Sequence, residues 1–166
     1  MIRPGTTADT SALGRLGALL VTLHHDFDPR RFIAPGPVAE RRYGAFLASQ
    51  LGRPEVSILV AEQSGAVVGY TYAALEGRDY MALRGPAGVI YDLVVDPARR
   101  GQGIGRTLLR ATIDSLVERG APRVVLSTAE RNAPAQSLFA SFGFRRTMIE
   151  MTWEAAALPP GAARAI

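Results

Sequence analysis

The sequence predicts an α/β domain: an α+β mixed sheet of about six to seven strands flanked by about four helices. Three observations predict it. Short β-branched and aromatic runs, bounded by Gly, Pro and Asp, recur from the middle of the chain onward. Stretches with leucine at helical spacing lie before and between them. At 166 residues, the chain is the size of one domain and long enough to bury a core without disulfides or metals.

Taken in order, Met1 to Arg3 reads as a short strand. Thr7 and Asp9 offer caps to a helix carrying Leu13, Leu16, Leu20 and Leu23. The prolines Pro29, Pro35 and Pro37 make His24 to Pro37 an irregular surface loop. A second helix is expected from about Val38 to Leu51, ended by Gly52 and Pro54. Val56 to Glu62 and Ala66 to Ala74 are strands joined by a Ser64-Gly65 hairpin turn, and Val89 to Val95 is a third. A helix follows with Ile104, Leu108, Leu109, Ile113, Leu116 and Val117 on one stripe, ended by Gly120 and Pro122. Arg123 to Thr128 is a strand, Ala133 to Phe142 a helix, and Arg145 to Glu154 a last strand. Residues 1–154 are read as one domain, and 155–166, rich in Ala, Pro and Gly, as a disordered tail.

Composition narrows the functional classes. There is no cysteine, so no disulfide framework, cysteine-based zinc site or cysteine acyl-enzyme. No apolar run approaches the roughly 18 residues of a membrane helix, and Met1-Ile2-Arg3-Pro4-Gly5 lacks the order of a signal peptide. The expected compartment is the cytoplasm. Net charge is +4, and all 19 basic residues are arginine, which lifts the pI without requiring a nucleic-acid partner. His24-His25-Asp26-x-Asp28 lacks the ligands that would complete a metal site, and no metal is expected.

The chemistry concentrates where a strand runs into a glycine-rich turn, from Leu93 to Arg106. Gly101, Gly103 and Gly105 let the backbone curl and present N–H groups at the start of a helix, a site for phosphate oxygens. Arg99, Arg100 and Arg106 add positive charge. The spacing G-x-G-x-G is not the dinucleotide fingerprint G-x-G-x-x-G. Nor is it a P-loop, since Arg106 stands in place of the lysine and Arg100 in place of the first glycine. A ligand-free tight turn would account for one or two glycines but not for the basic cluster.

Arg100-x-x-Gly103-x-Gly105 matches the Q/R-x-x-G-x-G/A signature of the GNAT superfamily of N-acetyltransferases, which the chain resembles. Asn132-x-x-Ala135-x-x-Leu138-Phe139-x-x-x-Gly143-Phe144 matches that superfamily's second motif, in the right order. The resemblance covers about Val56 to Glu150 well, and the N-terminal half only in its order of elements. It implies that acetyl-CoA is the cofactor. Its pyrophosphate would rest on the N–H groups of Gly101, Gln102, Gly103, Ile104, Gly105 and Arg106, beside Arg100, while its pantetheine arm would pair with Leu93, Val94 and Val95. Asn132 would touch the same arm; it also reads as a plain N-cap. A homodimer is a further implication of the resemblance.

Relatives of this kind transfer acetyl directly to an amine, so an ammonium must lose a proton. A backbone N–H near Val94 would serve the oxyanion by analogy. Asp92 interrupts an apolar run, where a carboxylate is unfavourable to bury unless paired or used. The string Ile90-Tyr91-Asp92-Leu93 is similar to that of aminoglycoside 3-N-acetyltransferases, which implies Asp92 as the base. An aspartate in a solvated groove or paired with an arginine is the alternative. Glu62, Glu76 and Glu130 are weaker candidates. Phe139 stands where many relatives place a proton-donating tyrosine, leaving the thiolate unassisted or served by Tyr91 or Ser137. The expected acceptor is the primary amine of a small molecule: aminoglycoside-, polyamine- or amino-acid-like. Asp26, Asp28, Glu76 and Asp79 would suit its positive charge, and Tyr70, Tyr72 and Tyr80 could form aromatic walls. Acetylation of a protein N-terminus and a non-catalytic acetyl-CoA sensor are the competing readings.

Overall fold

The computed structural model describes residues 1–155. The elements follow the order β1 (Ile2–Pro4), α1 (Thr10–Phe27), α2 (Ala39–Gln50), β2 (Val56–Gln63), β3 (Ala66–Glu76), β4 (Ala87–Val95), α3 (Ile104–Glu118), β5 (Val124–Leu126) and α4 (Ala133–Ser141). The sheet has the order β1-β2-β3-β4-β5. Its first four strands form an antiparallel meander, and β5, reached through α3, lies parallel to β4.

Each face of the sheet carries its own core. Tyr70 and Val94 pack with Ile58, Leu13, Leu16 and Leu47 beneath α1 and α2. Ile90 and Ala73 pack with Leu109, Leu116 and Phe139 beneath α3 and α4. Strand alternation alone would put Ile90, Asp92 and Val94 on one side. A β-bulge intervenes, because Tyr72 opposes Asp92 while its neighbour Ala73 opposes Ile90, which leaves Tyr91 as the extra residue. Beyond the bulge the faces exchange, and Asp92 and Val94 turn toward α1 and α2.

α1 and α2 meet across glycines. A Cβ on Gly14 would stand 2.3 Å from the Glu40 carbonyl oxygen, and one on Gly44 would stand 2.8 Å from that of Thr10. Neither helix could seat here with a larger residue. Before α1, the Asp9 carboxylate closes a 3-10 turn by accepting the Thr6 N–H and both terminal nitrogens of Arg3, each at 2.8 Å. That pairing with Arg3 holds the Asp9 pKa well below the ordinary carboxylate range.

Three expectations need correction. α1 runs through His24 to Phe27 instead of ending in a loop at His24, because no proline intervenes before Pro29. The Nδ1 of the His24 ring meets the Leu20 carbonyl one turn back, at 2.9 Å. The strand expected at Arg123 to Thr128 is confined to Val124–Leu126, since β4 offers it a partner only from Gly88 to Ile90. Arg145 to Glu154 forms no strand, so among the described residues the sheet has five strands and not six or seven. Ile149, Met151 and Trp153 have strand alternation but stay exposed, and no ladder receives them. Ion pairs with the loop after α1 tether the other side of this segment: Glu150 with Arg31, and Glu154 with Arg30 at 2.7 Å. The tail assigned to 155–166 lies, apart from Ala155, outside the described residues.

Candidate active site

β4 and β5 pair over three residues and then part. Gly88, Val89 and Ile90 oppose Val124, Val125 and Leu126, and beyond Ile90 the β5 side of β4 has no strand partner among the described residues. The backbone groups that face this opening follow from ladder alternation. Asp96 N–H donates to the Val68 carbonyl at 2.9 Å, so the alternate residues Val94 and Asp92 also turn their polar groups to β3. Leu93 and Val95 therefore present N–H and C=O to the open side. The Val95 carbonyl accepts a hydrogen bond there from Arg100 Nε, at 3.3 Å.

The turn after β4 starts with the Asp96 side chain accepting Ala98 N–H, at 3.0 Å. Gly101 and Gly103 have φ of +76° and +77°, a conformation that side chains disfavour, and Gly103 is the N-cap of α3. Among the described residues, no acceptor takes the backbone N–H groups of Gly101, Gln102, Gly103, Ile104, Gly105 or Arg106. Space around Gly101 and Gly103 is open, and a Cβ at Gly105 would make only ordinary contact, 3.6 Å from Leu138. N–H donors without acceptors at a helix start, with open space in front of them, fit the phosphates of coenzyme A.

The side chains around this turn divide by role. Ile104 is buried against Ala61, Val68 and Leu108 and anchors the start of α3. Gln102 accepts a hydrogen bond from Gln63, at 3.3 Å. Arg106 bonds the Ser141 hydroxyl at 3.0 Å and lies over the Phe142 ring, which ties the turn to α4. Asn132 caps α4 through Ala135 N–H, at 3.3 Å. Phe139 is core, 8% exposed and packed on Phe144.

Asp92 is 7% exposed on the opposite side of β4. No arginine pairs with it among the described residues. Its Oδ2 accepts two phenolic hydrogen bonds, from Tyr43 at 2.9 Å and from Tyr70 at 2.8 Å. Desolvation raises the Asp92 pKa, while the two phenols and the His24 imidazole draw it back. Burial and the nearby carboxylate raise the pKa of both tyrosines, so they remain protonated donors.

The remaining acids are engaged elsewhere. Glu62 pairs with Arg3 at 2.8 Å, Glu130 is 88% exposed, and Glu76 is bound by Arg84 and the Tyr91 hydroxyl. Asp28 and Asp79 accept backbone N–H groups of their own turns. Tyr70 is fully buried and forms no wall. Tyr72 does line a cavity of ≈ 320 Å³, with Gln50, Arg53, Glu55, Glu76 and Tyr91. Its ring stacks on Tyr91 at 4.8 Å.

Sequence reasoning missed Tyr43. It reaches Asp92 because α2 packs closely on α1, and the signal available was the run of small residues Gly14, Gly17 and Gly44 on two facing helices. Among the described residues, no helix is long and apolar enough to cross a membrane. No group of three or more His, Cys, Asp and Glu residues there could hold a metal ion.

The acetyltransferase (GNAT) family model matches residues 20–144, and the chain belongs to that family, whose enzymes are acetyl-CoA-dependent N-acetyltransferases. Mycothiol acetyltransferase of Thermobispora bispora is 37% identical over 98 residues, which are 57% of this chain and 32% of that protein. The enzyme of the same name from Thermomonospora curvata is 31% identical over 58% of this chain and 30% of its own length. The chain thus spans about a third of these curated relatives. A mutant form of the Bacillus halodurans protein BH1408 has the same fold, with TM-score 0.79 and 21% identity over 94% of this chain and 99% of that one. An aminoglycoside antibiotic 6'-N-acetyltransferase of Acinetobacter haemolyticus shares it at TM-score 0.70 and 15% identity, over 95% and 99% of the two chains.

Proposed function

We propose that the chain moves the acetyl group of acetyl-CoA directly to a primary amine of a small molecule, with Asp92 as the base. The observation that carries this reading is a carboxylate 7% exposed, with no arginine partner among the described residues, on the strand that parts from its neighbour. A structural carboxylate so placed would be expected to have an arginine beside it.

Acetyl-CoA supplies the activated thioester. The N–H groups from Gly101 to Arg106 would hold its phosphates, and the outward-facing groups of Leu93 and Val95 would pair with its amide-bearing arm. Arg100 and Arg106 complete the charge there, and Asn132 stands at the start of α4. The N–H of Leu93 or Val95 is also free to steady negative charge that develops on a carbonyl oxygen. Asp92 accepts the proton that an ammonium must lose before it can attack. Phe139 has no proton to give and the Tyr91 hydroxyl donates to Glu76, which leaves Ser137 as a side-chain acid or a thiolate that departs unassisted. A thiol with a pKa near 8.5 is a good enough leaving group for that.

The small-molecule acceptor draws support from two directions. The cavity beside Tyr72 and Tyr91 sets two acids, Glu55 and Glu76, and aromatic faces against the one arginine Arg53, which suits a polar cation better than an apolar chain. The related enzymes named above act, by their names, in mycothiol and aminoglycoside acetylation. The test is thiol release from acetyl-CoA across aminoglycosides, polyamines, amino acids and short peptides, with calorimetric acetyl-CoA binding as control. Turnover of one amine class, lost in Asp92→Asn while acetyl-CoA still binds, is expected. Turnover of peptides alone would sink the small-molecule assignment, and undiminished turnover by Asp92→Asn would sink the base.

A further inference from the structure

Two phenols meet Asp92, and both choose the same oxygen. Tyr43 Oη, from α2, and Tyr70 Oη, from β3, donate to Oδ2 at 2.9 and 2.8 Å, and Oδ1 takes no protein hydrogen bond among the described residues. Oδ1 is also absent from the fully buried, unpartnered side-chain atoms, of which Gln63 Oε1 is the one example among the described residues. Oδ1 therefore touches accessible space, while Oδ2 is taken by the two phenols. Rotating the carboxylate to exchange its oxygens would break both phenolic bonds at once.

We infer that Tyr43 and Tyr70 are positioning residues that hold the Asp92 carboxylate by Oδ2 and so make Oδ1 the proton acceptor for the incoming amine. This rests on the reading of Asp92 as base. The proton leaves the ammonium nitrogen, an N–H bond breaks as an Oδ1–H bond forms, and the electron pair remains on nitrogen to attack. The phenols stay protonated throughout and exchange nothing with the amine. They act on the carboxylate in two ways, fixing its rotation and favouring its ionised form against the burial that raises its pKa. The other titratable groups around it are Tyr72, opposite on β3, His24 from α1, and Tyr91 beside it on β4.

The two phenols reach the carboxylate from different elements, β3 and α2. Tyr70 is fully enclosed on the central strand, and Tyr43 sits on a helix whose position depends on the glycine contacts with α1. A single donor would leave the carboxylate free to pivot about one hydrogen bond. Two donors from different elements fix its plane.

The experiment uses the full chain with Tyr43→Phe, Tyr70→Phe and Asp92→Asn. The Asp92 carboxyl is titrated by carbon-13 NMR in the protein alone, and turnover of acetyl-CoA with kanamycin and with spermidine is followed against pH. Each phenylalanine is expected to move the carboxyl midpoint, and the acid limb of kcat/KM, upward by about one pH unit. The acetyl-CoA KM should stay within about twofold of wild type. A midpoint and acid limb that stay in place while kcat falls would show the phenols to be packing only and overturn the inference. An Asp92→Asn protein of full activity would remove the base itself, a distinct result. Tyr43→Phe is half-buried and decides the matter if Tyr70→Phe fails to fold, and the NMR titration needs no acceptor.

Discussion

The Tyr43 ring lies where a methyl group on Gly17 would have to go: a Cβ there would stand 2.2 Å from Tyr43 Cδ1. Gly17 on α1 is therefore what admits the phenol on α2 to Asp92. Gly17→Ala is expected to displace the ring and lower stability by about 1–3 kcal/mol through overpacking. It should also reduce kcat much more than acetyl-CoA affinity. Denaturant melts and steady-state kinetics on one preparation check both. Wild-type kcat with a normal melt would disprove the link between this helix contact and Asp92.

Gly103, the N-cap of α3, has φ of +77°. An alanine there pays about 1–2 kcal/mol for the left-handed conformation or turns its N–H groups away. Gly103→Ala is expected to weaken acetyl-CoA binding about tenfold while leaving the fold and the Asp92 titration unchanged. Calorimetry with acetyl-CoA measures it. Unchanged affinity would place the phosphates elsewhere.

Asp92 makes stability depend on pH in a direction opposite to most carboxylates. Its pKa is raised in the folded chain above the ordinary value of 3.8, so the folded state holds the proton more tightly than the unfolded one. Stability from this group is thus greatest below pH 3.8 and declines as pH climbs through the raised value. Asp92→Asn, which cannot ionise, should melt higher than wild type at pH 8, and the difference should vanish at pH 3. A variant that melts lower than wild type at pH 8 would mean that the ionised carboxylate stabilises the fold.

Most of the architecture was legible because it rests on local pattern. The stripe of Leu108, Leu109 and Leu116 announces α3, and Gly120 its end. The glycine-rich turn was legible for the same reason, since positive φ at Gly101 and Gly103 is a demand that only a few residue types meet. Asp92 stood out because a carboxylate within an apolar strand is conspicuous. Its partners did not. Tyr43 lies 49 residues before Asp92, and their meeting depends on how closely two helices approach. Tyr91 gave no sign of being the bulge that turns Asp92 to the other face, for it looks like any strand tyrosine. Arg145 to Glu154 failed in the opposite sense: Ile149, Met151 and Trp153 alternate as a strand should, yet pairing needs a second backbone that local pattern cannot supply.

The cations beside the turn, Arg100 and Arg106, are guanidinium groups, and so is every other basic side chain apart from the two histidines, because the chain has no lysine. A guanidinium stays protonated past pH 12 and is a poor nucleophile toward a thioester. A protein that holds a reactive acetyl donor against its own surface thereby offers that donor no side-chain amine to consume. Incubated for days with millimolar acetyl-CoA, its basic side chains keep their charge where those of a lysine-bearing surface would be acylated and drift acidic.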